Sequence, residues 1–277
     1  MMPTMNPLPD LAPLRLALRQ TVREAGAMAK TFFRDGEKTS ARIWSKAGGS
    51  PVTEADVTVD SYLKVALSRL LPEAGWLSEE TADNAARMSR RLVWIVDPID
   101  GTRAFLSGDR DWSVAVALLA DGRPLIGLVD APAHGVVYEA LAGAGAQRNG
   151  QPIQVSGRAK LAGAGLSGPK PLIDQIERRA GRVERLARVP SLALRIARVA
   201  EGSIDVGLVS GNARDWDIAA ADLILTEAGG RLTTFEGGPT RYNQVEPVHG
   251  ELLAAPRALH PRLVEAMTGR SPSAAAP

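Results

Sequence analysis

Two aspartates stand three residues apart in Val96-Asp97-Pro98-Ile99-Asp100-Gly101-Thr102, directly after the apolar run Leu92-Val-Trp-Ile-Val96. Carboxylate oxygens are hard donors, better suited to magnesium than to zinc, and a proline between them fixes the turn so that both can converge on one cation. Gly101 and Thr102 stand where a helix would start, and the free N–H groups of a helix start bind phosphate well. Asp-Pro and Asp-Gly are also ordinary turn dipeptides, so this segment alone leaves a turn and a metal–phosphate site equally open.

Other acids could join it. Ser78-Glu79-Glu80 lies upstream, and Trp216-Asp217-Ile218 lies far downstream, leading into Glu227-Ala-Gly-Gly230. Each has a plainer explanation. Glu79 and Glu80 could be solvated charges, Asp217 could be an N-cap, and Asp56 in Thr53-Glu-Ala-Asp56 could be the acidic partner of a capping box.

The elements that must position these residues follow from the apolar spacing. Leu14, Leu16, Leu18, Val22, Ala25, Met28 and Phe32 mark an amphipathic helix from about Leu11 to Phe33, and a second helix runs from about Thr53 to Leu71. Between them, Lys38 to Pro51 is rich in Ser, Gly and Lys and reads as a flexible loop. From Leu92 the pattern becomes β, with strands over 92–96, 112–119, 124–129 and 135–138 separated by Asp121-Gly122 and Pro132. Short connections imply an antiparallel meander, closed by the tight-turn pair Asn149-Gly150. After about Ser156 the chain alternates: helix near 171–180, strand near 184–189, helix 191–201, strand 204–209, helix 217–227. That alternation argues an α/β second half.

Taken together, Thr53-Glu-Ala-Asp56, Ser78-Glu-Glu80, Asp97-Pro-Ile-Asp-Gly-Thr102 and Trp216-Asp-Ile-Ala-Ala220 with Glu227-Ala-Gly-Gly230 resemble the inositol monophosphatase superfamily, in that family's order and over almost the whole chain. The resemblance implies a layered α/β/α/β/α sandwich of the sugar-phosphatase type. Its α+β half would span residues 1–156 with most metal ligands, its α/β half 157–270, and a disordered tail 271–277. It implies a phosphomonoesterase using two or three Mg2+ ions and inhibited by lithium. Glu79, Asp97 and the carbonyl of Ile99 would hold one ion, and Asp97, Asp100 and Asp217 a second. The Thr102 hydroxyl, with Asp56 or Glu79, would orient the attacking water, while the Gly101 and Thr102 amides would hold phosphate oxygens. A homodimer is compatible with this reading.

The resemblance implies a small phosphate monoester as substrate. Ser191-Leu-Ala-Leu-Arg195 followed by Val199-Ala-Glu-Gly202 resembles bacterial 3′(2′),5′-bisphosphate nucleotidases, which implies that Arg195 contacts a second phosphate. The acid that inositol enzymes use would fall near Val209 or Ser210, and neither is acidic. Arg103-Ala-Phe105 departs from the nucleotidases' Lys-Glu-Phe and is nearer the Lys-Ala-Phe of histidinol-phosphate phosphatases. The expected reaction is removal of the 3′-phosphate of adenosine 3′,5′-bisphosphate, with histidinol phosphate and inositol 1-phosphate as alternatives.

Composition excludes several other classes. The 277 residues carry 33 basic and 31 acidic side chains, a formal charge of +2, which gives no signal for a nucleic-acid polymer. The one dense basic stretch, Arg178, Arg179, Arg182, Arg185, Arg188, Arg195 and Arg198, reads mostly as solvated surface. No apolar run reaches the roughly 18 residues needed to span a bilayer, and no signal-peptide pattern opens the chain, so a cytoplasmic location is expected. The absence of cysteine removes disulfides, thiolate nucleophiles and Cys-based zinc sites. Gly163-Ala-Gly-Leu-Ser-Gly168 matches a dinucleotide fingerprint in letters only, because no convincing strand precedes it and Pro169 and Pro171 crowd the next helix start. It reads as a glycine-rich strand and turn. No G-x-S-x-G occurs, and His134, His249 and His260 lack an evident nucleophile partner. The remaining competitor is a regulatory binding protein that keeps the fold, disfavoured because every expected metal ligand is retained.

Overall fold

A computed structural model of the chain describes residues 8–45, 49 and 51–270. The strand Leu92–Asp100 shows how the layers are set: Val93 and Ile95 face one apolar cluster, Trp94 and Val96 another, so both faces of the sheet are covered. That sheet has seven strands in the spatial order Gly75–Ser78, Leu92–Asp100, Ser113–Ala120, Arg123–Ala131, Val136–Leu141, Ala146–Arg148 and Gln151–Ile153. The first pair is parallel and the rest form an antiparallel meander. Asp121 and Gly122 (φ 51° and 74°), like Asn149 and Gly150 (φ 50° and 80°), make the left-handed two-residue turns that match strand twist.

On its outer face lie α1 (Leu11–Lys30) and α2 (Glu54–Leu70), with Leu18, Val22, Val59 and Leu63 packed among Trp94, Val116 and Leu128. Asp10 caps α1, and Thr53 with Asp56 forms a capping box on α2. The short α3 (Thr102–Ser107) follows the acidic segment, with Phe105 edge-on to Trp112 at 5.0 Å. α4 is Lys170–Ala180, α5 Leu192–Ala200, α6 Asp215–Glu227 and α7 His260–Thr268.

A smaller sheet has the order Glu184–Arg185, Gly165–Ser167, Val206–Val209, Leu252–Pro256, Gly230–Thr234. α5 and α6 fill the space between the two sheets and share one core with both, through Ile196, Ile218 and Ile224 against Ile95, Val129 and Leu252. α4 and α7 cover the far side of the small sheet through Ile176 and Leu263. The result is the five-layer α/β/α/β/α sandwich expected from sequence. The large sheet and α6 approach closely at Gly127, where an added Cβ would come 2.5 Å from the Ala220 carbonyl.

Some boundaries differ from the sequence reading. α1 stops at Lys30, because residues 31–33 turn instead. The segment 38–51 contains a small antiparallel hairpin, Ile43–Ser45 with Pro51–Thr53; the rest of the expected loop, at 46–48 and 50, and the expected disordered tail at 271–277 lie outside the described residues. The strand near 184 pairs over two residues only. α6 begins at Asp215, so Asp217 is its third residue and not its N-cap. Gly163 to Gly168 forms a strand and turn before α4, as read from the sequence.

Candidate active site

In a regular strand, residues three apart point to opposite faces. Here the ladder with Ser113–Ala120 is broken between Asp97 and Asp100, where Pro98 has no N–H to give it. The Asp97 carboxylate accepts the Ile99 N–H at 3.0 Å, and the bulge turns Asp100 toward Asp97. Gly101 then takes φ 88°, and a Cβ there would lie 3.1–3.2 Å from the Asp111 carbonyl and the Ser191 backbone.

Asp97, Asp100 and Asp217 each bring a carboxylate oxygen within 4.8 Å of the others. Asp97 and Asp100 are buried and Asp217 nearly so. Burial raises all three above the ordinary carboxylate range. For Asp97, Glu79, Asp100, Asp217 and Asp56 add to it as like charges. Asp217 is raised next by Asp100, against the Arg214 amide, which donates to its Oδ2 at 2.7 Å. Asp100 rises to about 6, opposed by the Ser191 hydroxyl and the Ala193 amide, which donate at 2.5 and 2.7 Å. These last bonds make Asp100 a cap on α5, joining the large sheet to the middle layer. A buried set of oxygen donors with mutually raised affinities for protons is what a hard divalent cation would satisfy.

Glu79 stands beside this trio. Its N–H donates to the Val96 carbonyl at 3.3 Å, and its two sides are fastened to α2 because Asp60 accepts from the Ser78 hydroxyl and, at 2.6 Å, from Thr81. Asp56 forms the expected capping box and also faces Thr102. Its Oδ2 accepts from the Thr53 N–H at 2.8 Å in the capping box, while Oδ1 lies 3.5 Å from the Thr102 hydroxyl. That hydroxyl also donates to the Ile99 carbonyl at 3.1 Å. A cleft of about 360 Å³ opens here, lined by Glu79, Gly101 and Thr102 with Pro51, Arg103, Arg188 and Pro190.

Arg195 is not in that cleft, which corrects the expectation that it contacts substrate. It is 3% exposed, its Nε donates to the Val189 carbonyl at 3.0 Å, and Nη1 donates to the Leu208 carbonyl at 2.8 Å. Burial, and next the charge of Arg188, push it down to about 10. α5 is buried along almost its whole length, with only Leu192 and Arg198 partly exposed, so an arginine on its inner side had to be satisfied internally. Arg188 takes the place at the cleft, although in sequence it was one of a run read as surface. Arg198 and His134 both pair with Asp111, His249 with Asp215, and His260 with Thr233. Glu227 accepts from the Gly143 and Gly145 amides at 2.8 Å each, a structural anchor away from the cleft. Asp60 was missed, though its place one turn after Asp56 on an otherwise apolar face was a usable signal.

No described helix is long and apolar enough to cross a membrane. The sequence model of the Inositol monophosphatase family matches residues 10–270. A histidinol-phosphatase of Mycobacterium tuberculosis is 37% identical over 209 residues, covering 71% of this chain and 78% of that protein. The 3′(2′),5′-bisphosphate nucleotidase CysQ of Aggregatibacter actinomycetemcomitans is 30% identical over 240 residues, covering 83% and 88%. Among solved structures, the extragenic suppressor protein suhB of Bartonella henselae superposes with a TM-score of 0.79 at 26% identity, over 93% of this chain and 99% of that one.

Proposed function

The chain belongs to the inositol monophosphatase family and is a metal-dependent phosphomonoesterase, and from that premise we propose that it removes the 3′-phosphate of adenosine 3′,5′-bisphosphate with Mg2+. The observation that carries the substrate reading is the cleft itself. Gly101 and Thr102 line it together with Arg103 and Arg188, two exposed cations able to meet a second anionic group. An uncharged polyol ring would have no use for that pair, and neither Val209 nor Ser210, where an inositol-binding acid would be sought, is acidic.

In this proposal Glu79, Asp97 and the Ile99 carbonyl hold one ion, and Asp97, Asp100 and Asp217 another. Bound magnesium would supply charge neutralisation on the phosphate and make water a better nucleophile at neutral pH. Thr102 with Asp56 or Glu79 orients the attacking water. The Gly101 and Thr102 amides hold phosphate oxygens, and Arg188 with Arg103 fixes the rest of the substrate.

Histidinol phosphate is the second reading, favoured by the 37% identity to a histidinol-phosphatase and by Arg103-Ala-Phe105. Phosphate release, with and without Mg2+, from adenosine 3′,5′-bisphosphate, histidinol phosphate, inositol 1-phosphate and fructose 1,6-bisphosphate decides between them. We expect Mg2+-dependent release with the highest kcat/KM on the nucleotide. A higher value on histidinol phosphate would transfer the assignment to that substrate, and comparable values on all four would remove the second-anion argument.

A further inference from the structure

We propose that Arg87 is a positioning residue for the metal site, a strap that sets the separation between the element carrying Glu79 and the helix carrying Asp217. The inference rests on reading the acidic cluster as the metal site. Arg87 lies in the 3₁₀ turn Ala85–Ser89 and is 2% exposed. The Asp83 carboxylate accepts from its Nε and Nη2 at 2.7 and 2.9 Å. Its other donors cross to a segment more than 150 residues away in the chain. Nη1 reaches the Asn243 side-chain oxygen at 2.5 Å, and Nη2 reaches the Gln244 carbonyl at 2.9 Å.

Both ends of this strap lead to the acidic cluster. Asn243 is held at φ 56°, and its N–H donates at 2.6 Å to Oδ2 of Asp215, whose Oδ1 lies 2.7 Å from His249 Nε2. Asp215 is fully buried and opens α6, two residues before Asp217. On the other side, the turn carrying Arg87 presses on the strand Gly75–Ser78, so closely that a Cβ on Gly75 would lie 3.1 Å from Arg87 Cα. That strand runs directly into Glu79. A guanidinium forks in one plane, so it fixes the gap between the two segments in a way that a lysine or an apolar contact would not. Magnesium tolerates little departure from octahedral oxygen geometry, so a site built from two separately mobile carboxylate carriers would bind it poorly.

The test is direct binding of Mg2+ to metal-stripped protein, followed by calorimetry. Arg87→Met keeps the stem and removes the fork. Asn243→Gly removes the acceptor while preserving the left-handed backbone and the N–H to Asp215. We expect Arg87→Met to weaken Mg2+ binding about tenfold or more, as loss of groups supporting metal ligands does. Asn243→Gly should act in the same direction, and the double variant should lose little beyond Arg87→Met. Leu263→Ala, a core change beneath α7 far from this network, controls for general destabilisation and should bind Mg2+ like the wild type. Should Arg87→Met fail to fold, Asn243→Gly decides alone. Wild-type affinity in these variants, or an equal loss in Leu263→Ala, overturns the inference while leaving the metal site standing. Absence of Mg2+ uptake by the wild type overturns the site assignment and the inference with it.

Discussion

What an arginine does for an enzyme depends on where its five N–H donors are committed. Arg195 spends its donors on the Val189 and Leu208 carbonyls, so it braces the loop before α5 against the small sheet. Arg188 stands exposed on the wall of the cleft that holds Glu79, Gly101 and Thr102. Arg188→Ala is therefore expected to lower kcat/KM on adenosine 3′,5′-bisphosphate by about 10- to 100-fold, the worth of a hydrogen bond between charged groups. The same change should leave hydrolysis of adenosine 3′-monophosphate, which lacks the second anion, within about threefold of wild type, since an exposed cation contributes little once its partner is gone. Steady-state kinetics on the two nucleotides checks this. Equal losses on both would mean that Arg188 serves the scissile phosphate instead.

At the scale of elements, the site depends on a strand that stops being regular at Pro98 and on a glycine that makes the next turn. Gly101→Ala adds a left-handed strain and a Cβ against Ser191 and Asp111, and it should cost about 1–3 kcal/mol of stability together with most of the activity. A urea melt paired with an assay tests it, and an unchanged melt would mean that the turn relaxes. A second element-scale prediction concerns Asp130, buried under α1 on the strand Arg123–Ala131. Burial raises it from the ordinary 3.8 to about 7, against the nearby Arg23 and Lys30. The folded protein thus keeps a proton that the unfolded chain loses, so the stabilising contribution is complete below 3.8 and lost as pH rises through 7. Asp130→Asn should gain on the wild type across that window and level off at a gain on the order of 2–4 kcal/mol above it. Denaturant melts at about pH 5 and about pH 8.5 should show the larger gain at the higher pH. Much of this level was legible beforehand: the apolar run Leu92–Val96 gave a buried strand, Asn149-Gly150 gave a tight turn closing the meander, and Thr53 with Asp56 gave a capping box. The hairpin at Ile43–Ser45 was not, because a three-residue edge pairing inside a Ser- and Gly-rich segment carries no periodicity to read. The place of Arg188 on the cleft wall and the burial of Arg195 were not legible, because spacing along the chain reports neither the cleft wall nor the inner face of α5.

At the scale of the molecule, the cluster is assembled where layers meet. Asp97 and Asp100 come from the large sheet, Glu79 from the turn after its neighbouring strand, and Asp217 from α6, which packs between the two sheets. Asp100 additionally caps α5 in that middle layer. The unfolded chain has no such assembly, so a cation held here binds the folded state alone and stabilises it by mass action. At about 100 times its dissociation constant, Mg2+ should add about 2.7 kcal/mol, or roughly 5–10 °C in Tm for a chain of this size, and EDTA should reverse the gain. Asp97→Asn separates this from a general salt effect. The amide keeps the shape but removes a buried charge crowded by Glu79, Asp100 and Asp217, so the metal-free variant should fold and melt no lower than the metal-free wild type. It should also lose both the Mg2+-dependent shift and turnover. Scanning calorimetry of the two proteins with Mg2+ and with EDTA gives the answer. A full Mg2+ shift in Asp97→Asn would move the cation away from the three-aspartate cluster, whereas loss of shift and activity together would tie catalysis and interlayer stability to the same carboxylate.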